Sequence, residues 1–582
     1  MASLLDALRT HSGPIGLDTE TTDLDPETDR VRLLQVATCE TVFLIDLFAL
    51  TDPAALAPLF DALATVEVVG HNLQFDLRFL ARLGFTPGPV FDTMLASIVL
   101  HAGHKETTGG RIRHALRDVA KRELGVDLAK DLQTSDWGGR LTPAQLRYAA
   151  ADARVLLPLA ADLQAKLAAA DLTATADREM RALRGIAWAA PIAVDRDRWA
   201  ALARDADADV ARLAEAMDAV APNPASIPGM ESRNWNSPAE VKAAFAAVGV
   251  ALTRTDDDAL AAVDHPLAGL VREYRAAHKR TGTYGTDWVA KYAPTGAVSP
   301  SWRQLGAESG RMSCSDPNLQ QIPRGAAYRG CFVARSGKVL VKADYSQVEL
   351  RIAAAVSGDA AMLAAYKDGK DLHALTAAAV LGKPVEDVTK GDRQLAKAVN
   401  FGLLFGMGWK TLRAYARSNY GVNLTDAAAQ SYRAAFFRAY PGLRRWHVRE
   451  GDRVRGFFQA DPAGTFEVRT RGGRRRILPV GKKRAGEGGY PNVTEALNTP
   501  VQGTGADGLK AAIALLWDRR ADCPGAVPVL FCHDEVVVEV DAPSADNAVA
   551  WVRACLIDAM APLVAPVPVA VDVTVGRTWG GD

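Results

Sequence analysis

Three groups of residues in this chain are of types that could do chemistry. The first is a set of carboxylates: Asp18 and Glu20 at the end of an apolar run, Asp76 after His71-Asn72-Leu73-Gln74-Phe75, and Asp152 four residues after Tyr148. Four carboxylates with no basic partner close in sequence repel one another unless cations bridge them. Two oxygen-ligated divalent ions would do so, one activating water and one stabilising a leaving oxygen. Singly, Asp18 and Glu20 also read as exposed strand-end acids. The second group lies in the stretch 391–408, GDRQLAKAVNFGLLFGMG. As a helix it spaces Arg393, Lys397, Phe401 and Phe405 four residues apart on one slowly turning face. Arg393 to Phe401 then spans roughly 12 Å, about the length of a nucleoside triphosphate. Two cations would meet phosphates, and a phenyl ring would meet sugar and base. Spacing alone leaves open a surface helix with a basic wet face. The third group is Asp344, ending an apolar run, and Asp534 in Cys532-His533-Asp534-Glu535. An Asp at a turn is ordinarily a turn former, and spacing does not bring these two acids together.

The elements that must position these residues follow from pattern. Residues 14–17 read as a strand running into Asp18, and 66–69 as a second apolar run. Leu146 to Leu159 is helical by pattern, with Tyr148 and Asp152 on one face. Ala-rich helical sequence fills 159–221, broken by Pro222 and Pro224. Ser237-Pro238-Ala239-Glu240 is a capping box with Pro at the first helical position, and helical pattern persists to about Lys291. Residues 309–323 form an irregular loop rich in turn formers. Val339 to Ala343 is a strand, Val348 to Val356 a helix, and Val527 to Glu539 a hairpin with 532–535 at its tip.

Composition narrows the class. A chain of 582 residues is long enough for several domains. Lys+Arg and Asp+Glu number 68 each, a formal net charge of +0. A nucleic-acid partner would therefore need positive charge segregated onto a groove. Arg469, Arg471, Arg474, Arg475, Arg476, Lys482, Lys483 and Arg484 are the candidates, a solvated surface loop being the other reading. Six cysteines without CxxC spacing argue against a zinc site or a disulfide framework. With no signal peptide and no uninterrupted apolar run long enough for a bilayer, the expectation is a soluble cytosolic protein.

Three ordered segments resemble a known family. RQLAKAVNFGLLFG (393–406) is similar to the fingers-helix motif of family A DNA polymerases. Asp344-Tyr345-Ser346-Gln347 with Glu349 matches that family upstream, and His533-Asp534-Glu535 matches it downstream. The resemblance covers nearly the whole chain. It implies an α/β multidomain protein, with a ribonuclease-H-like 3′–5′ exonuclease domain followed by a right-hand polymerase domain. The exonuclease domain would span 1–175 and have a mixed sheet flanked by helices. The start of the palm with a helical thumb would span 176–300, the first part of the palm 301–362, the fingers 363–494 and the rest of the palm 495–582. No room precedes Asp18 for a separate 5′ nuclease domain, so the expectation is the polymerase-plus-proofreading portion alone.

The resemblance also implies roles. Asp18, Glu20, Asp76 and Asp152 would hold two Mg²⁺ ions, with Tyr148 orienting the attacking water and Asn72 and Phe75 holding a single-stranded 3′ end. Asp344, Asp534 and Tyr345 would hold two more on a palm sheet, Mn²⁺ being able to substitute. Lys397 would act on the transferring phosphate, Arg393 on the distal phosphates and His373 on the triphosphate. Gln347, Phe401 and Phe405 would complete the nucleotide pocket, and Glu349 would be a steric gate against a 2′-OH. Arg311, Asn318 and Gln320 would line the minor groove at the primer end, where acceptors are nearly base-independent. Asn498, Gln502 and His533 would touch the template-primer. The family commonly has Tyr at Phe405 and often Arg at Thr494, so a hydroxyl and a primer-template contact are missing here. The expected function is template-directed DNA synthesis from dNTPs on primer-template DNA with proofreading, by a monomer with no membrane partner, in a bacterial cell or one infected by a phage. The rivals are a nuclease whose polymerase-like part only binds DNA, a single-subunit RNA polymerase and a non-catalytic DNA-binding factor.

Overall fold

A buried strand needs cover on both faces, and the first sheet is built around one. β2 (Val31–Ala37) is buried at every position and pairs with β1 (Ile15–Thr21) and β3 (Val42–Asp46), both antiparallel. β4 (Val68–Gly70) and β5 (Val90–Asp92) extend the sheet parallel to β1, in the order β3-β2-β1-β4-β5. Parallel neighbours require crossovers. Helix α1 (Leu73–Ala81) follows β4, and α2 (Thr93–Leu100) follows β5. Helix α3 (Pro143–Ala169), started by a Thr142–Gln145 capping box with Pro143 in its first turn, packs on β1. The expected mixed sheet with flanking helices is thus observed. These positions come from the computed structural model, which describes residues 2–50, 52–104, 110–129, 132, 134–221, 233–462, 464–479 and 492–581. Pro222, Pro224, Lys482, Lys483 and Arg484 lie outside them.

Helix α4 (Thr173–Ala187) joins two cores. Ala176, Met180 and Leu183 pack into the first domain, whereas Ala182 and Ile186 enter the main core of the rest. The helical run expected over 159–221 is interrupted here by a strand, β6 (Ile192–Val194), which pairs with Phe332–Val333 and Ala297–Val298. Ala-rich flanks masked a three-residue strand that only distant pairing stabilises. Helices α5 (Arg196–Val220), α6 (Pro238–Ala247) and α7 (Pro266–Tyr284) enclose a small core of their own around Trp235, Phe245 and Val271. Ser237 does cap α6, accepting from the Glu240 N–H. Glu240, however, accepts from the Asn234 N–H, because the Ser237 N–H already donates to the Asn234 carbonyl.

The main sheet has four antiparallel strands: β7 (Lys338–Tyr345), β10 (Val527–Cys532), β11 (Glu535–Asp541) and β12 (Val571–Gly576), in the order β10-β11-β7-β12. Between β7 and β10 the chain makes α8 (Val348–Ser357), α9 (Leu372–Leu381), α10 (Lys390–Leu404), α11 (Asp426–Ala439) and α12 (Pro441–Ala460). A hairpin, β8 (Thr465–Arg469) and β9 (Arg475–Pro479), and helix α13 (Thr504–Asp518) follow. Helix α14 (Ala545–Val564) is apolar enough on average to cross a membrane. Trp551, Val552, Leu556 and Met560 instead bury it against the sheet, as a core helix.

The five described arginines of the basic segment are engaged within the protein. Arg474 is buried between Glu179 and Asp507, and Arg476 pairs with Glu308 and Glu495. Arg469 donates to the Ala170 and Asp171 carbonyls at the end of α3, and Arg475 to the Leu100 carbonyl at the end of α2. Arg471 donates to the Leu563 and Ala565 carbonyls at the end of α14. Helix C-termini carry unpaired carbonyls and partial negative charge, so guanidinium groups bind them well. Arg469 and Arg475 thereby fasten the hairpin to the first domain, whereas Arg471 and Arg476 tie it to the rest of the chain.

Candidate active sites

Alternation along β1 turns Asp18 and Glu20 to one side of the sheet, with buried Thr19 between them. Thr19 donates to Asp76 on α1 at 2.5 Å. Tyr148 and Asp152 share a face of α3, near enough for each to act on the other's proton. All five line one cleft of about 1070 Å³, together with Asn72 and Phe75. Among the described residues no ion pair involves any of the four acids. Burial, followed by Asp76, Glu20 and Asp152, pushes Asp18 well above the carboxylate range. Burial and the same neighbours raise Glu20 to about 8. Burial carries Asp76 to about 7 and Asp152 to about 6, against hydrogen bonds from Thr19 and Tyr148. The donors are hard oxygens, crowded and without cationic partners, and that set fits divalent cations. A fifth acid, Asp92, differs in kind: it accepts from the N–H groups of Asn72, Leu73, Met94 and Leu95 and so caps α1 and α2.

The second constellation sits at one end of the four-stranded sheet. Asp344, next to last on β7, lies opposite Glu535 on β11 and Asp572 on β12. A two-residue turn, His533-Asp534, joins β10 to β11, and the Tyr345 N–H donates to the Asp534 carbonyl at 3.4 Å. The tertiary structure thereby brings together two acids that are 190 positions apart in the chain. Burial, then Asp534, Glu535 and Asp572, raise Asp344 to about 7, and burial also raises Asp534. Asp344 Oδ1 is enclosed without a hydrogen-bond partner. An orphaned carboxylate oxygen beside a second acid fits a bound cation. Glu535 does not share that position, because Trp579 Nε1 donates to it at 2.6 Å. The Tyr345 ring is buried and its hydroxyl donates to the Leu556 carbonyl at 2.7 Å, so only its main chain could serve a metal.

Helix α10 carries Arg393, Lys397 and Phe401, but it ends at Leu404. Phe405 is its C-cap, and the next helix begins at Trp409. The expected single helix to Gly408 is therefore two, hinged at Gly406, whose φ of +79° favours glycine. Arg393 Nε donates to Asp371 at 2.6 Å, and Lys397 has no ion-pair partner among the described residues. His373, at the start of α9, lies 5.8 Å from Phe401 between ring centres. Gln347 donates to Asp371 at 3.1 Å and accepts from the Tyr366 hydroxyl at 3.2 Å, so its amide is already engaged. Glu349, in the first turn of α8, accepts from Arg311 at 2.5 Å. Burial raises Glu349 despite that arginine.

The remaining expected residues surround this end of the sheet less tightly. Gln320 donates to the Phe531 carbonyl, and Asn318 accepts from the Cys314 thiol. Gln502 lies in a wide π-type turn, Thr499–Gly503, and Asn498 Oδ1 is enclosed without a partner. His533 is exposed at its turn. Asn72, Gln347 and His533 are three of the five described non-glycine residues with positive φ, strained positions of the kind that cluster at functional sites. Sequence reasoning assigned no role of their own to Asp371, beside His373 in Asp371-Leu372-His373, to Asn400 within the 393–406 motif, or to Asp572. Asp371 carries a signal, an Asp just before a helix, but nothing in sequence names its other partners. Trp302 to Leu305, far along the chain, also line the first cleft.

A family model described as DNA polymerase family A matches residues 207–581, and one described as 3′-5′ exonuclease matches 1–168. DNA polymerase I of Aquifex aeolicus is 34% identical over 596 residues, covering 97% of this chain and 96% of that protein. DNA polymerase I of Pseudomonas aeruginosa is 32% identical over 562 residues, covering 90% of this chain and 57% of that one. The thermostable DNA polymerase I of Thermus filiformis is 37% identical over 322 residues, 54% of this chain and 36% of its own length. Among solved structures, the POL domain of Pol1 from M. smegmatis, in complex with DNA primer-template and dNTP, superposes with a TM-score of 0.81 at 26% identity. That match covers 100% of this chain and 98% of the other. The chain therefore belongs to DNA polymerase family A, as a DNA-directed DNA polymerase that carries a 3′–5′ exonuclease domain.

Proposed function

We propose that Asp344 and Asp534 are the metal-holding acids of nucleotide addition, and that Asp18, Glu20, Asp76 and Asp152 are those of 3′-end removal. One observation carries the reading: two separate groups of largely enclosed carboxylates, crowded together and without an ion-pair partner among the described residues, sit in two different domains. Two Mg²⁺ ions at each centre, or Mn²⁺ in their place, would activate the attacking oxygen and neutralise the reacting phosphate.

The chain's own side chains do the rest. Lys397, without an ion-pair partner among the described residues, lies one helical turn from Arg393 and would neutralise charge developing on the transferring phosphate. Arg393 is held through Nε by Asp371, which leaves its two terminal nitrogens for the distal phosphates in a bidentate grip. Phe401 offers a flat apolar wall to the sugar. Glu349, pinned by Arg311, would fill the space a 2′-OH needs. In the other cleft Tyr148, held by Asp152, would orient the attacking water, and Asn72 and Phe75 would hold the unpaired 3′ end. Arg311, Asn318, Gln320, Asn498, Gln502 and His533 are assigned to the primer-template.

On this reading the exonuclease domain spans 1–175. Palm and thumb begin in 176–300, palm continues over 301–362, fingers fill 363–494 and palm closes over 495–582. The enzyme acts as a monomer in the bacterial cytoplasm. The test uses a recessed primer-template with each dNTP. Asp344→Ala and Asp534→Ala should abolish extension and spare 3′-end degradation, and Asp18→Ala should do the reverse. Near-normal extension by Asp344→Ala would overturn the assignment. A wild type that degrades but never extends would favour a nuclease whose polymerase-like part only binds DNA.

A further inference from the structure

Helix α10 carries a buried amide that none of the roles above uses. Asn400 is fully buried, and its Nδ2 lies 2.8 Å from Nδ1 of His373 on α9. Its Oδ1 accepts from Thr376 Oγ1 at 2.9 Å, and that hydroxyl stands 2.7 Å from the Tyr440 hydroxyl, just before α12. A single polar chain thus runs Tyr440–Thr376–Asn400–His373, from the junction of α11 and α12 through α9 and α10. Its last atom, His373 Nε2, has no hydrogen-bond partner among the described residues and is not among the enclosed unpartnered atoms. We propose that Asn400 is a positioning residue, whose donation to Nδ1 keeps His373 in the tautomer with the proton on Nε2, facing the triphosphate. The proposal rests on the reading of His373 as a triphosphate contact.

The argument is one of donors and acceptors. Phosphate oxygens only accept, so a histidine that binds them must present an N–H. A doubly protonated ring would do so from either nitrogen. Burial, with Arg393 and Lys397 close by, pushes His373 down to about 4 although Asp371 favours the cation. The ring is therefore neutral near pH 7, with one proton to place. Which nitrogen keeps it is set by the hydrogen bond made at the other. An amide donating to Nδ1 makes that nitrogen the acceptor and sends the proton to Nε2. The reverse amide orientation would accept from Nδ1–H and point an Nε2 lone pair at the phosphates. Thr376 could serve that arrangement too, by donating to the Leu372 carbonyl at 2.8 Å, so the tautomer itself is the decisive quantity.

The first test needs no variant at this position. Full-length enzyme with ¹⁵N-labelled histidine, the His373 signals identified by their loss in His373→Gln, should show an unprotonated Nδ1 and a protonated Nε2. An Nδ1–H ring overturns the proposal. The second test is single-turnover dNTP incorporation by Asn400→Asp. Its carboxylate can only accept, so it reverses the tautomer without removing volume. The apparent Kd for dNTP should rise on the order of tenfold while the maximum rate changes less than about twofold. Thr376→Val, which unties Asn400 from behind, should move Kd in the same direction. Added to His373→Ala, Asn400→Asp should cost nothing further; an additive loss would mean that Asn400 acts through general packing, and it overturns the proposal. If His373→Ala itself leaves Kd unchanged, the triphosphate reading fails and takes the proposal with it, even where the Nε2–H tautomer is observed. A raised Kd in His373→Ala alongside an Nδ1–H wild type overturns the role of Asn400 alone.

Discussion

Glu349 and Arg311 neutralise each other in the free protein, although the first is assigned to the sugar and the second to the minor groove. The pairing orients the Glu349 carboxylate, and the arginine counters part of the upward push of burial. Glu349→Ala removes the bulk beneath the sugar, so the ratio of rNTP to dNTP incorporation should rise while dNTP synthesis stays measurable. Equal use of both by the wild type, or an unchanged ratio in the variant, would rule the gate out. Phe401 presents no hydroxyl at the 3′ side of the sugar, and Phe401→Tyr should improve use of dideoxynucleotides in the same competition assay. Lys397, unlike Arg393, has no ion-pair partner among the described residues. Lys397→Ala should slow single-turnover incorporation by on the order of 10²–10³, the usual cost of losing a preorganised group at a developing charge. Unchanged single-turnover kinetics would mean that α10 is merely a surface helix there.

At the scale of the element, α10 works only if both its ends are held. Its N-terminus has a reciprocal capping box of Thr389 and Asp392, and Asp392 is further paired with Lys383. Its C-terminus is held from α12, where His447 Nε2 donates to the Leu404 carbonyl at 2.9 Å. Burial, against that hydrogen bond, lowers His447 from 6.5 to about 4. A histidine lowered on folding binds its proton more readily when unfolded, so its contribution is intact above pH 6.5 and is lost as pH falls towards 4. The full loss is on the order of 3 kcal/mol. Replacing His447 with Leu should lower thermal stability at pH 7 by exposing the Leu404 carbonyl, yet flatten the decline between pH 6.5 and 4. Parallel pH profiles for the two proteins would show that His447 does not titrate with unfolding.

At the scale of the whole molecule, α4, the helix that packs into both cores, is anchored by a buried ionic cluster. Glu179 on α4, itself fully buried, accepts from Lys510 on α13 at 2.7 Å, from Arg474 on the β8–β9 turn and from Gln304 at 2.6 Å. Burial works to raise Glu179, but Lys510 and Arg474 hold it below its ordinary value. Burial also takes Lys510 down to about 8. Breaking such a cluster on one side strands charges in the interior, which typically costs about 3–5 kcal/mol. Glu179→Ala should therefore separate the calorimetric transition of the exonuclease domain from that of the remainder. Replacing Glu179 and Lys510 together by Met should cost less, since no charge is then left without its partner; a double variant as unstable as Glu179→Ala would contradict this account of the cluster.

Short-range chemistry was legible in the sequence. The helix bearing Arg393, Lys397 and Phe401, the hairpin with 532–535 at its tip and the strand-to-helix turn at Asp344 all depend on neighbours within a few residues, and pattern placed each of them. Family resemblance supplied the order of the domains, which local pattern could not. Only the tertiary structure decided what long-range partners do to a side chain. A guanidinium reads the same in sequence whether it faces DNA or the end of a buried helix, and Arg469, Arg471, Arg474, Arg475 and Arg476 took the second course because helix termini and acids from distant segments surround them. The three-residue strand β6 and the break after Leu404 have the same origin, since pairing across the molecule and glycine at positive φ outweigh weak local propensity. The chain Tyr440–Thr376–Asn400–His373 was invisible for that reason too: its members are ordinary residues until the packing of α9 and α10 with the junction of α11 and α12 makes them hydrogen-bond partners.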